Sequence, residues 1–96
     1  MNIKELCDES HKQAVKSGFY HRDREVPELI ALLHSELSEA LEADRNGDEI
    51  GFAVEIADCF IRLGDACAYW RIDIESEIKK KMKINKNREM LHGKRY

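Results

Sequence analysis

One proline, five glycines and seven aromatic residues are all that 96 positions contain. With so few breaking residues, and with apolar residues recurring at helical spacing rather than alternating, the chain reads as all-α, with no sign of a strand pair. No apolar run approaches the roughly 18 residues that a bilayer crossing needs, and MNIKELCDES has neither a basic n-region nor an apolar h-region. A soluble, cytoplasmic protein is therefore expected. The three cysteines, Cys7, Cys59 and Cys67, are odd in number and lack metal-ligand pairing, which suits reduced thiols better than a disulfide framework. The length allows a single domain, residues 1–96. A chain this short buries only about 60 to 65% of its extended surface, so a partner subunit would help its core.

The formal net charge of −3 conceals an uneven distribution. From Lys79 to Tyr96 eight basic residues face one acid, net +7, so the first 78 residues carry −10. An acidic body with a basic tail fits nucleic-acid binding by the tail, attraction between the halves, or a site handling both a metal and an anion. The acidic body and the lack of a recognised nucleic-acid reading motif weigh against the first.

Four helices are expected. Asn2 can cap the first, running to about Ser17, with Ile3, Leu6, Cys7, Ala14 and Val15 inward and Gly18 ending it. The polar stretch Phe19 to Val26 follows, and Pro27 sits where a first helical residue belongs. The second helix, to about Asp44, carries the stripe Leu29, Ile30, Leu33, Leu37, Ala40 and Leu41, and Arg45-Asn46-Gly47-Asp48 supplies the turn. A third helix spans about Glu49 to Trp70. Asp73 caps a fourth, running to about Leu91, with Ile74, Ile78, Met82 and Ile84 as its apolar positions.

The third helix is apolar nearly all round, which predicts burial on all sides and hence a homodimer or homotetramer with this helix central. Its charged interruptions, Glu55, Asp58, Arg62 and Asp65, fall on one stripe at spacings of 3, 4 and 3. On the second helix Glu36 and Glu39 are also three apart. Antiparallel packing of the two helices would bring these two pairs face to face. Four converging carboxylates repel one another and lose hydration, a conflict that a divalent cation resolves. An all-oxygen donor set without His or Cys favours Mg²⁺, or Mn²⁺, over Zn²⁺. Taken alone, Glu36 and Glu39 read as a solvated helix face, a reading that Glu55 and Asp58 in an apolar helix reverse, and Asp65 reads equally as a site residue or as a structural ion pair with Arg62 or a base of the fourth helix. Cys7 and His11, four apart, have no second pair to complete a zinc site. His34 and Ser35 lack a catalytic arrangement.

In the tail, Lys81, Asn85, Arg88 and His92 share a stripe of the fourth helix, with His92-Gly93-Lys94 beyond its expected end. Lys and Arg hold phosphate oxygens and Asn can join them; the plainer reading is a solvated basic helix end favoured by the macrodipole. No Gly-rich phosphate loop is present. Phe19, Tyr20, Tyr69 and Trp70 are candidates for stacking on a base, or for core packing.

Glu36-Leu-Ser-Glu39 forms an ExxE pair, followed after 15 residues by an ExxD pair, Glu55-Ile-Ala-Asp58. With GFY after the first helix, LLHSELSEALEADRNG on the second, EIADCFIRLGD on the third and KMKINKNREMLHGK at the end, the chain resembles the MazG-like nucleotide pyrophosphohydrolases. These lie within the all-α NTP pyrophosphatases that also include dimeric dUTPases. The resemblance covers nearly the whole chain; Glu89 departs from it, standing where relatives commonly place Pro. It implies Mg²⁺-dependent hydrolysis of a nucleoside triphosphate between the α and β phosphates. Glu36, Glu39, Glu55 and Asp58 would be metal ligands, Glu39 would also orient or deprotonate the attacking water, and Lys81, Asn85 and Arg88 would hold phosphates, from the same or a neighbouring subunit. A MazG-like module that binds nucleotides without hydrolysing them is the alternative.

Overall fold

Asn2 opens the first helix by reciprocal bonding: its Oδ1 accepts from the Glu5 amide at 2.8 Å while its Nδ2 donates to Glu5 Oε1 at 2.8 Å. This satisfies a backbone donor that a helix start otherwise leaves free. In the computed structural model, which describes the backbone of residues 1–95 and the side chains of residues 1–88, four helices follow: α1 (Ile3–Lys16), α2 (Val26–Arg45), α3 (Glu49–Tyr69) and α4 (Ile74–Arg95). No strand occurs among the described residues. Asp48 caps α3 by accepting from the Gly51 amide at 2.8 Å, and Asp73 accepts from Ser76 at 3.2 Å. The first three helices match the expected spans to within about two residues, and α4 runs four residues beyond the expected Leu91.

Helices α1, α2 and α3 end by one device. The residue after each C-cap, Gly18 (φ 87°), Gly47 (φ 70°) and Arg71 (φ 58°), adopts a left-handed backbone. The following amide then reaches back to the third-last helical carbonyl: Phe19 to Ala14, Asp48 to Ala43 and Ile72 to Cys67, at 3.0, 2.9 and 3.0 Å. These are Schellman motifs, natural for glycine and strained for arginine.

Helix α3 packs against both α1 and α2, whereas α4 packs chiefly on α1. The three-residue connection 46–48 makes α2 and α3 antiparallel neighbours. The buried apolar side chains are few: Cys7, Leu29, Ala40, Ala66 and Cys67. All three cysteines are free thiols.

Helix α3 is not enclosed on all sides, although its sequence predicts burial all round. Only Gly64, Asp65, Ala66 and Cys67 of this helix are buried, and Phe52, Val54, Phe60, Ile61 and Leu63 are exposed, because two helices can cover only part of its circumference. Along α2, Leu29 and Ala40 go inside while Ile30, Leu37 and Leu41 stay outside; Val15 of α1, expected inward, is also exposed, as are Ile78, Met82 and Ile84 of α4. The radius of gyration, 16.5 Å, exceeds the roughly 12.5 Å of a compact domain of this length.

Candidate metal centre and adjoining cavity

The α2–α3 hairpin brings Glu36 and Glu39 opposite Glu55, and one carboxylate oxygen from each lies within 4.8 Å of the others. Glu39 is exposed, Glu36 and Glu55 half-buried. Asp58, one turn further along α3, stands outside that trio but lines a cavity together with Glu36. Burial first, then the hydrogen-bonding approach and charge of Glu39, then the charges of Asp58 and Glu36, push the Glu55 carboxyl above the ordinary carboxylate range. The same acids, after burial, push the neighbouring Cys59 thiol up. Glu55 Oε2 is buried with no hydrogen-bond partner.

An orphaned carboxylate oxygen in an all-oxygen donor set fits a hard divalent cation, since buried polar atoms are otherwise satisfied. Glu36, Glu39 and Glu55 could hold it, with Asp58 close by. Among the described residues one cation pairs with this group: Arg62 donates from Nε to Glu36 Oε1 at 3.2 Å.

Beside the acids lies a cavity of about 340 Å³, the size of a small-ligand site. Glu36, Asp58 and Arg62 form one side, and Ser10, Gln13 and Phe19 contribute from α1 and the loop after it. Phe19 therefore lines the cavity beside the acids. Tyr20, the other base-contacting candidate, does not line it. Its hydroxyl donates to Asp65 Oδ2 at 2.8 Å, and its ring stacks on Tyr69 at 4.4 Å between centroids. Burial, the bond to Asp65 and the Asp65 charge together push the Tyr20 hydroxyl far up.

Asp65 is only 4% exposed and, among the described residues, its salt-bridge partner is His11 rather than Arg62 or a base of α4. Its Oδ1 lies 2.9 Å from His11 Nδ1; an ionised carboxylate can only accept, so Nδ1 carries the hydrogen. Arg24 completes the support: its Nε donates to the Phe19 carbonyl at 2.8 Å, its amide to Tyr69 Oη at 3.0 Å, and its guanidinium sits 4.1 Å from the Phe19 ring centre. This network fixes the loop that presents Phe19.

Lys81, Asn85 and Arg88 are exposed on α4, and none of them lines the cavity or joins the carboxylate trio. His92, Gly93, Lys94 and Glu89 fall outside the described side chains. The roles of Arg62, Ser10 and Gln13 at the cavity were not evident from the sequence; the one signal was Arg62 standing on the same stripe as Glu55 and Asp58. No family model, curated protein or solved structure matches the chain.

Proposed function

We propose that this chain is a Mg²⁺-dependent nucleoside triphosphate pyrophosphohydrolase of the MazG-like kind, which converts an NTP or dNTP to the monophosphate and pyrophosphate. The observation that carries the reading is the meeting of the ExxE and ExxD helices at Glu36, Glu39 and Glu55, with the orphaned Glu55 oxygen among them. Mg²⁺, or Mn²⁺, held there would supply charge neutralisation of phosphate oxygens and a more acidic bound water. Glu39, the exposed member, is open to solvent and takes the proton of the attacking water. The bond between the α phosphate and pyrophosphate breaks, and the work of the protein is mainly positioning and charge stabilisation. Phe19 faces the base or sugar.

Within one chain Lys81, Asn85 and Arg88 neither line the cavity nor join the carboxylate trio, while apolar side chains of α2, α3 and α4 lie open. Both observations favour a homodimer or homotetramer in which α4 of a neighbouring chain brings Lys81, Asn85 and Arg88 to the phosphates. The role would be upkeep of the cytoplasmic nucleotide pool. The test is pyrophosphate release with Mg²⁺ over canonical and modified nucleotides. Turnover of some nucleotide, lost in Glu39→Gln with the helical fold intact, is expected. Nucleotide binding without hydrolysis across the panel would instead identify a binding module.

A further inference from the structure

Arg62 is the one cation paired with any of Glu36, Glu39, Glu55 and Asp58 among the described residues. It stands where a divalent cation would compete with it, since both need the Glu36 carboxylate and two positive charges a few ångströms apart repel. Its hold on Glu36 is light: a single hydrogen bond at 3.2 Å, with the side chain 31% exposed. Its Nη groups donate to no protein acceptor among the described residues, and the guanidinium borders the open cavity, 5.5 Å from the Phe19 ring centre. Arg24, on the same ring, is by contrast fixed, held by Glu28 at 2.6 Å and by the Phe19 carbonyl.

We propose that Arg62 is an exchangeable counter-ion: it neutralises Glu36 in the metal-free protein, leaves Glu36 when a divalent cation binds, and then offers its planar N–H fork to an anionic oxygen in the adjoining cavity. This inference rests on the metal reading above and adds an order to it. The cation comes first, and its arrival creates the anion contact. An arginine suits the second task because its planar guanidinium, once released from Glu36, presents paired N–H donors to anionic oxygens. Metal and anion thereby become thermodynamically coupled through one side chain, reciprocally, without the metal needing to touch the anion.

The test is titration with Mn²⁺ alone, read by electron paramagnetic resonance, on the unaltered protein and Arg62→Gln, with and without sulfate as a weakly chelating tetrahedral anion. Without sulfate, Arg62→Gln is expected to bind Mn²⁺ about fivefold more tightly, the size of effect of a partly exposed ion pair and its repulsion of the metal. With sulfate that advantage should vanish or reverse, because only the unaltered protein gains an anion contact. Should Arg62→Gln fail to fold, the Nε resonance of Arg62 in the unaltered protein gives the same information. It should shift on adding Mg²⁺ and shift again on adding sulfate. Equal Mn²⁺ affinities in both conditions, weaker binding by Arg62→Gln without sulfate, or an unmoved Nε signal overturns the exchange. No Mn²⁺ binding by the unaltered protein overturns the metal reading along with it.

Discussion

The joint between α1, the loop and α3 at Asp65 allows a quantitative prediction. Asp65 is nearly sealed from solvent and receives two hydrogen bonds, from His11 at 2.9 Å and Tyr20 at 2.8 Å. Each bond to a charged, buried acceptor contributes about 1.5–3 kcal/mol, and Asp65→Ala removes both. Asp65→Ala should therefore cost about 3–4 kcal/mol, a large share of the roughly 5–14 kcal/mol expected for a domain of this length. Thermal midpoints fall about 4–8 °C per kcal/mol in domains of this size, so a drop on the order of 12–32 °C is expected. Tyr20→Phe removes one bond and leaves the ring stacked on Tyr69, so it should cost about 1.5–2 kcal/mol. In the double variant most of the Tyr20→Phe cost should disappear, giving a coupling of about 1.5 kcal/mol by urea denaturation. Strict additivity of the two substitutions would show that Asp65 does not hold the loop through Tyr20.

Arg71→Gly should raise stability by about 0.5–1 kcal/mol in urea melts, since it removes the strain of a left-handed arginine at the end of α3 but adds freedom to the unfolded chain. Glu55→Gln should raise the melting temperature of the metal-free protein by relieving repulsion from Glu39, Asp58 and Glu36, and should abolish any further rise on adding Mg²⁺. Hydrogen bonds from Arg22 and Arg24 hold the Glu28 carboxyl down at about 2. A depressed acid stabilises the fold above its ordinary range near 4.5, and that contribution is lost as pH falls from about 4.5 towards 2. Glu28→Gln should accordingly flatten the acid limb of thermal stability over that window. An acid limb of unchanged slope would count against this ion pair.

Much of the fold was legible because its signals are local. Asn2, Pro27 and Asp73 mark helix starts, Gly18 and Gly47 mark ends, and the four helices follow from them with small shifts. Three of the four acids expected to converge were legible too, because antiparallel packing across the short connection brings Glu36 and Glu39 opposite Glu55, whereas Asp58, one turn on, stays outside the trio. What could not be read was which partner each long side chain chooses. Arg62 and Asp65 are neighbours on one stripe and looked like partners, yet Arg62 turns to Glu36 on α2 and Asp65 to His11 on α1. Their choices depend on which helix covers which side of α3, a matter of three-dimensional packing. The exposure of Phe60 and Leu37 escaped the sequence for the same reason: periodicity marks a face as apolar and says nothing about what covers it. Tyr20 sits one residue from Phe19, yet only Phe19 reaches the cavity, since adjacent residues in a loop point apart.

The connection between α2 and α3 has a consequence for mutational tolerance. Asp48 serves both sides of it: its amide closes α2 on Ala43, and its carboxylate opens α3 at Gly51. One residue inserted or deleted there would turn every later position of α3 by about 100° about the helix axis. Glu55 would then point away from Glu36 and Glu39, although none of the three had changed. The spacing of the two acidic pairs along the chain is therefore inherited as a length, and that length should resist change more stubbornly than the identity of many residues within it.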